Sequence, residues 1–317
     1  MTPYSKKDRV KRMVRKIIIN FPTNIGDAVL GFPALDKIKF NYQKAEITAI
    51  VSPRTKRFLK RNTFIDKTIL FNKRWPIRQK IKFIMSLRGK FDLIIDFKNS
   101  FLPVLLGINK RTSFIRPYPK NMHIKNKYLA LVDRLCLKDG EKRADFYLSP
   151  QEQKRWNDVD LEPSLFIACS SLTSIKSYPY TYLKKVVESL VKEIPVVILG
   201  QESDRKFYKD ILSIQGVVDL VGKTALHEVV YLMKNYSNVL LAVDSSILHI
   251  GGYLNIPIVA FFGPTHPDRS APFSDKFIIL RNDELSCIAC EKSKCMADYK
   301  CMDIAPERAI EAVKKLW

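Results

Sequence analysis

The second half of the chain alternates short apolar runs with helix-length segments of mixed polarity. The apolar runs lie at 164–169, 195–199, 217–221, 239–243 and 256–262. The mixed segments between them lie at 180–193, 203–214, 224–236 and 245–254. Short buried strands separated by helices are typical of a parallel sheet with helices on both faces. The pattern therefore predicts a Rossmann-like domain.

The first half shows a similar but less regular rhythm. Apolar runs occur at 17–21, 47–51, 68–71 and 92–97, and helical patterns occur at 27–40 and 76–88. A chain of 317 residues suits two domains better than one. Residues 140–163 have the weakest apolar pattern and are the predicted linker, while Pro306 is placed to begin a terminal helix. We therefore expect an α/β protein with domains at 1–150 and 151–305, followed by a helix at 306–317.

The net charge of +22 is confined to the first half of the chain. Residues 1–150 carry 34 Lys and Arg against 11 Asp and Glu, whereas residues 151–317 carry 20 against 21. Such a positive field attracts nucleic acid, an anionic membrane face or a phosphorylated acceptor, and it does not choose among them. No signal peptide or membrane-spanning run is evident, so we expect a cytoplasmic protein.

The first sixteen residues hold seven basic residues and one acid. Val10, Met13, Val14 and Ile17 recur at spacings of three and four, which would put an apolar stripe on a basic helix. A solvated tail and a peripheral membrane anchor both fit this segment.

Polar residues follow several of the predicted strands, where open α/β sheets bind ligands. In "AVDSSILHIGG", Asp244, Ser245 and His249 lie at the junction of a predicted strand and helix. They could form an ordinary helix cap or a ligand site. In "FFGPTHP", Gly263 permits close backbone approach and the Thr265 hydroxyl follows it. These two strand ends together suggest an anion site.

Two further loops carry candidate groups. "ACSSLTSIKSYP" presents Lys176, a point charge suited to a diphosphate or simply to solvent. In "NFPTNIGDAVLGFPALDKI", Asp27 begins a helix, where an aspartate is commonly a cap. The thiols Cys287, Cys290, Cys295 and Cys301 resemble a zinc ligand set with short spacings, and reduced thiols on a loop are the alternative.

These motifs, taken in order, resemble glycosyltransferase family 9, the ADP-heptose lipopolysaccharide heptosyltransferases. The resemblance extends over nearly the whole chain and also includes "DLVGKTALHEVVYL" and the tail ending in "CMDIAPE". It implies a GT-B fold, in which two Rossmann-like domains face each other across a cleft. It also implies inverting transfer of a heptose from an ADP-sugar to a phosphorylated glycolipid acceptor of lipopolysaccharide synthesis, at the inner face of the inner membrane.

The resemblance also implies roles for individual residues. Asp27 matches the general base and Lys176 the lysine that neutralises the donor phosphates. The matching donor-binding positions are Ser171, Asp204, Asp244, Ser245, His249, Gly263 and Thr265. Asp204 is the least secure of these and would hold the ribose. Candidate acceptor contacts in the basic half are Asn24, Arg54, Arg57, Lys98, Arg111 and Arg116.

Ser246 and His266 depart from the residues common in the family, which leaves the sugar and nucleotide open. A family 9 transferase with another nucleotide sugar is therefore one alternative. A basic nucleic-acid-binding protein is an alternative from another class, although no such binding module is recognisable. A dinucleotide-dependent oxidoreductase lacks GxGxxG after a first strand. The single DxD falls in the predicted linker, so we expect no required metal ion and no cofactor.

Overall fold

The computed structural model describes residues 14–113, 118–119, 121–140, 142–159, 161–171, 174–292 and 294–317. The chain separates after Tyr147 into two compact units. The basic helix predicted for the N-terminal segment does not extend to Ile17. This residue, the last of the predicted apolar stripe, is fully buried in a strand. The rest of that segment, residues 1–13, lies outside the described residues, as do Arg116 and Asp160 of the DxD.

The N-terminal unit contains a parallel five-stranded sheet. Its strands are β1 (Lys16–Asn20), β2 (Glu46–Val51), β3 (Lys67–Leu70), β4 (Leu93–Asp96) and β5 (Lys110–Arg111). They are arranged in the order β3-β2-β1-β4-β5, and every pair is parallel. β4 and most of β1 and β2 are buried, because helices cover both faces of the sheet.

Six helices lie in the described part of this unit. They are α1 (Ile25–Leu30), α2 (Phe32–Asn41), α3 (Pro53–Leu59), α4 (Ile77–Leu87), α5 (Leu102–Leu105) and α6 (Ile124–Asp133). The single helix predicted at 27–40 is two helices, divided at Gly31. The break occurs where Pro33 enters, because proline has no N–H to continue the hydrogen bonds of α1.

The C-terminal unit contains a parallel six-stranded sheet. Its strands are β6 (Ser164–Ala168), β7 (Val196–Ile198), β8 (Val217–Asp219), β9 (Ser237–Val243), β10 (Ile258–Phe261) and β11 (Phe277–Leu280). The order is β11-β10-β9-β6-β7-β8. The sequence pattern did not predict β11, which is a short edge strand with an exposed first residue.

The helices of this unit lie before, between and after the strands. They are α7 (Pro150–Asn157), α8 (Tyr180–Leu190), α9 (Arg205–Tyr208), α10 (Leu226–Tyr236), α11 (Ser246–Tyr253), α12 (Pro267–Ser270) and α13 (Pro306–Leu316). The terminal helix α13 packs against α8 and buries Ala309 and Val313. No helix in the described ranges has the length and apolarity required to cross a bilayer.

Part of the predicted linker is a helix that is firmly attached to the C-terminal unit. The Trp156 indole N–H and the Arg155 guanidinium both donate to Glu228 of α10, at 2.9 and 2.8 Å. Glu152, also on α7, lies 3.1 Å from the buried ring of His227. The division between the two units falls inside the predicted linker, but residues 150–157 of it form a helix of the C-terminal unit. Trp156 is the one large apolar residue of α7, and a single buried anchor leaves no periodic pattern in the sequence.

Glu152 also caps its own helix. Its carboxylate accepts the Ser149 backbone N–H at 2.7 Å. Burial tends to raise the pKa of Glu152, but the bonds from Ser149 and the contact with His227 outweigh burial and lower this pKa to about 2. Because the folded pKa lies below the ordinary value of 4.5, the carboxylate stabilises the fold above that pH. This contribution is lost as the pH falls toward 2.

We therefore expect Glu152→Gln to lower the free energy of unfolding at neutral pH by about 1–2 kcal/mol, allowing for partial solvent screening. The deficit should shrink as the pH is lowered from about 5 to about 3, because wild-type Glu152 then loses its charge in the unfolded state. Urea unfolding, monitored by tryptophan fluorescence, measures the free energy of unfolding of both proteins at each pH. Glu162→Gln, at an exposed position nearby, is the control. A deficit that stays constant with pH would contradict the assignment.

Candidate functional site

The candidate groups of the C-terminal unit follow four strands that are neighbours in its sheet. In the order β10-β9-β6-β7, the strands lead into Gly263 and Thr265, then Asp244 and Ser245, then Ser171 and Lys176, and finally Asp204. Because all four strands are parallel, these loops emerge at one edge of the sheet.

Lys176, Asp244 and His249 form a charged cluster at this edge. The Lys176 ammonium donates to Asp244 Oδ2 at 2.7 Å, and His249 Nε2 lies 3.6 Å from Asp244 Oδ1. The Asp244 and His249 side chains are almost completely buried, whereas Lys176 is about a quarter exposed. Lys176 is the member of the cluster that solvent or a ligand can reach.

The environment of Asp244 keeps it ionised. Burial alone would raise the pKa of this carboxyl group. His249 and Lys176 reverse that effect, so the pKa of Asp244 lies below its ordinary value. The cluster therefore holds a fixed negative charge beneath a partly exposed cation.

Helix α11 begins beside this cluster. Ser245 is its N-cap residue in extended conformation, yet the Ser245 side chain makes no capping bond. Its hydroxyl is buried and has no hydrogen-bond partner in the part of the chain that the structure describes. Buried hydroxyl groups are almost always hydrogen-bonded in proteins. An unpaired hydroxyl at a helix N-terminus, where the first backbone N–H groups have no partner within the helix, is suited to an anionic ligand.

Gly263 lies in the turn after β10, and the space beside it is filled from within the protein. A Cβ atom at this position would lie 2.6 Å from Met302 Sδ and 2.9 Å from Cys301 Sγ. The carbonyl oxygens of Gly263 and Pro264 accept backbone N–H groups of Ala289 and Glu291, at 2.9 and 2.7 Å. The structure thus explains the glycine by packing against residues 301–302.

Four cysteines lie in or near the segment that supports this turn. Among the described residues, which include all four, no group of three or more ligand side chains is arranged to hold a metal ion. Cys295 Sγ accepts the N–H groups of Ala297 and Tyr299, at 3.4 and 3.2 Å. Cys301 is buried, and burial together with the neighbouring thiols raises its pKa. Cys301 has a packing role beneath Gly263.

The loop after β6 is held by groups that the sequence analysis did not identify. The Tyr208 hydroxyl accepts the backbone N–H groups of Cys169 and Ser170, both at 2.9 Å. The Ser171 N–H donates to Ser177 Oγ at 3.0 Å, just after the 3₁₀ turn that contains Lys176. Tyr208 is fully buried in the core. A single tyrosine in a helical pattern carries no sequence signal for such a supporting role.

Asp204 follows β7, and its carboxylate is hydrogen-bonded to a residue of its own loop. Its carboxylate accepts the Gln201 N–H at 2.7 Å and caps a short 3₁₀ turn. It therefore lies at the correct edge of the sheet but outside the Lys176–Asp244–His249 cluster. His266, in the turn after β10, similarly accepts the Asp268 N–H at 3.3 Å.

Most candidates of the N-terminal unit also follow neighbouring strands. In the order β2-β1-β4, these are Arg54 and Arg57, then Asn24 and Asp27, and then Lys98, whereas Arg111 is the last residue of the edge strand β5 itself. Asp27 lies in the first turn of α1, and Asn24 Nδ2 is 3.4 Å from its Oδ2. The Ser52 hydroxyl donates to the Thr23 carbonyl at 2.8 Å and ties this loop to the next strand end.

Lys98 follows a buried carboxylate, Asp96, that the sequence analysis did not identify, and the Lys98 backbone N–H donates to it at 3.1 Å. Asp96, at the end of β4, accepts Asn20 Nδ2 at 2.7 Å and the Ser100 N–H at 2.6 Å. Lys98 is half-buried, and this burial lowers its pKa, although Asp96 opposes the shift. An acidic residue that ends an otherwise apolar run, as in "DLIIDF", was the available signal for Asp96.

The arginine candidates are dispersed. Arg54 and Arg57 are exposed on α3. Arg111 lines a pocket of about 440 Å³ together with Thr112 and Arg134. The edge of this unit therefore offers the carboxylate of Asp27 and several separate cations, while the Asp96 carboxylate is buried and hydrogen-bonded within the unit.

Known proteins resemble this chain over most of its length. Residues 80–300 match the model of glycosyltransferase family 9 (heptosyltransferase). Lipooligosaccharide heptosyltransferase 2 of Campylobacter jejuni serotype O:6 is 29% identical over 95% of this chain and 99% of its own. The structure is similar to a family 9 glycosyl transferase from Veillonella parvula, with a TM-score of 0.78, 19% identity, and coverage of 95% and 97% of the two chains.

A third similar protein is E. coli ADP-heptose lps heptosyltransferase II, with a TM-score of 0.74 and 21% identity over 95% of this chain and 98% of the other. These likenesses, together with the two α/β units, confirm the expected GT-B fold class with two Rossmann-like domains. Because the family model matches well over half of the residues, the chain belongs to glycosyltransferase family 9, the heptosyltransferases, and is a glycosyltransferase.

Proposed function

We propose that this enzyme transfers a heptose from ADP-heptose to a phosphorylated glycolipid of lipopolysaccharide core synthesis. Relatives named for lipooligosaccharide heptosyltransferase and ADP-heptose lps heptosyltransferase activity support the donor and the acceptor class. The observation that carries the proposal is the Lys176–Asp244–His249 cluster beside the unpaired Ser245 hydroxyl. That arrangement offers a reachable cation, a helix N-terminus and an unsatisfied donor to one diphosphate.

In the proposed donor site, Lys176 contacts the diphosphate and Asp244 holds Lys176 in position. The Ser245 hydroxyl and the first amides of α11 donate to phosphate oxygens, and Thr265 and the Gly263 turn complete the cradle. Ser171 contributes from the neighbouring loop, and Asp204 contacts the ribose. Because these donors are local dipoles and one lysine, the C-terminal half binds a dianion while its net charge stays near zero.

The proposed reaction is a single inverting displacement. The acceptor oxygen attacks the anomeric carbon, the bond from that carbon to the diphosphate oxygen breaks, and the acceptor proton passes to Asp27. Lys176 and the amides stabilise the charge that develops on the departing ADP, so no metal ion is required in this scheme. Asn24 lies beside Asp27 and orients it.

The acceptor is proposed to bind the positive N-terminal half. Residues 1–150 carry 34 basic against 11 acidic residues, which favours a phosphate-bearing lipid. The proposed acceptor contacts are Asn24, Arg54, Arg57, Lys98, Arg111 and Arg116. In this scheme the enzyme works in the cytoplasm, peripherally on the inner face of the inner membrane.

The substrate assignment is tested by incubating the protein with ADP-heptose, ADP-hexoses, UDP-sugars and GDP-sugars against truncated core acceptors. We expect mass spectrometry to show addition of one heptose, with inverted anomeric configuration, only from ADP-heptose. Consumption of another nucleotide sugar in preference to ADP-heptose would contradict the donor assignment.

Asp27→Asn should lower kcat by about 10²–10⁴-fold, the range typical of a lost general base. Its affinity for ADP, measured by calorimetry, should stay unchanged because the change lies in the acceptor half. Asp158→Asn, at an exposed position on the other unit, is the control. Wild-type turnover by Asp27→Asn would remove Asp27 from the mechanism.

Lys176→Met should weaken ADP binding and lower kcat by about 10²–10³-fold, because the leaving diphosphate loses its cation. Lys176→Arg retains the charge and should recover part of the activity. The matched control is Lys185→Met, at an exposed position on α8. If Lys176→Met binds ADP as tightly as the wild type, Lys176 is not a donor contact.

A further inference from the structure

Helix α4 carries a stripe of exposed apolar side chains on its outer surface. Ile77, Ile81 and Met85 recur every four residues and are 69%, 53% and 58% exposed. Phe83 and Leu87, on the inner side of the same helix, are buried in the core. The helix therefore has apolar residues beyond those that the core uses, and we call Ile77, Ile81 and Met85 the α4 stripe.

The exposed apolar surface is concentrated rather than scattered. Of the eleven large apolar side chains that are exposed in the described residues, six lie on α4 or at α5: Ile77, Ile81, Met85, Phe101, Val104 and Leu105. Leu102 and Leu106, at α5, pack in the same cluster as Phe83 and Leu87 of α4. The two helices therefore pack on the same core cluster, and each also carries exposed apolar side chains.

The α4 stripe is surrounded by positive charge. Residues 67–91 contain eight Lys and Arg and no Asp or Glu. Arg78 and Lys82 lie beside the stripe on α4, and both are exposed. Lys73 and Arg74 precede the helix, and Arg88 and Lys90 follow it, again at exposed positions.

The charges and apolar groups of this surface fit an anionic bilayer better than a second copy of the chain or a nucleic acid. A second copy of the chain would bring two positive surfaces together, because a symmetric dimer pairs the same patch with itself. Nucleic acid would satisfy the charges but would leave the isoleucines and the methionine in water. An anionic bilayer offers both phosphate groups and an apolar layer a few ångströms below them.

We infer that the α4 stripe, with the exposed side chains of α5, is the surface by which this protein binds an anionic phospholipid bilayer. Helix α4 would lie in the plane of the interface, with Ile77, Ile81 and Met85 among the acyl chains. Arg78 and Lys82 would remain at the level of the phosphates. The inference rests on the proposed function only in taking the membrane that holds the acceptor as the one that is bound. The surface, and its fit to an anionic bilayer, follow from the charges and apolar side chains of α4.

The test is co-sedimentation of the full chain with vesicles of phosphatidylcholine alone or mixed with phosphatidylglycerol. We expect binding that requires phosphatidylglycerol and weakens with salt. The triple variant Ile77→Ser, Ile81→Ser, Met85→Ser should bind at least about 10-fold more weakly, because the three apolar side chains that would enter the acyl layer are lost. Arg78→Gln with Lys82→Gln should also weaken binding and reduce its salt dependence.

The control removes exposed apolar residues from the other unit. Phe277→Ser with Met296→Ser should bind vesicles like the wild type. If the triple variant does not fold by circular dichroism, Ile81→Ser alone and the Arg78/Lys82 variant decide the question. Vesicle binding that is unchanged in these variants would overturn the inference. So would equal binding to both kinds of vesicle, or wild-type self-association that the stripe variants abolish while vesicle binding persists.

Turnover separates this inference from the proposed enzymatic function. With a deacylated, water-soluble acceptor, the triple variant should transfer sugar at the wild-type rate, since the stripe lies outside the proposed site. With an acylated acceptor embedded in phosphatidylglycerol vesicles, the same variant should be about 10-fold slower. Vesicle binding without any sugar transfer would contradict the proposed function alone. Normal transfer with stripe-independent vesicle binding would contradict the inference alone.

Discussion

The parallel pairing of β6 with β9 is the constraint on which the candidate donor site depends. Leu165 to Ala168 pair in register with Val239 to Ala242, so the two strands end side by side. The loops that follow bring Lys176 and Asp244 to 2.7 Å from each other, although they are 68 residues apart in the chain. A shift in register would separate these charges and would leave the buried carboxylate of Asp244 without its cation, which is costly.

The alternation of strands and helices and the placement of polar motifs at strand ends were predictable from sequence. A parallel sheet buries its strands on both faces, so apolar runs such as 239–243 mark them directly. Polar residues such as Asp244 at the end of such a run have no place in a core, which singles out the loops that face a ligand.

What the sequence did not reveal depended on contacts distant along the chain. The spacing of apolar residues around Ile17 is compatible with a basic helix and with a strand. Ile17 lies in a strand because it pairs with residues of β2 and β4, which are distant in sequence. The support that Tyr208 provides to the loop after β6 depends on a fold that brings residues 39 positions apart together. The role of Trp156 depends similarly on Glu228, 72 positions away.

The residues beneath Gly263 change how a variant at that position would be understood. The methionine and the thiol of residues 302 and 301 occupy the volume that any added side chain needs. Even alanine would have to push the supporting segment away before it touched a nucleotide. The shape of the turn is thus set by the packing of residues 301 and 302 against it. Impaired catalysis in Gly263→Ala would report a disturbance of that packing and not a lost contact with the nucleotide.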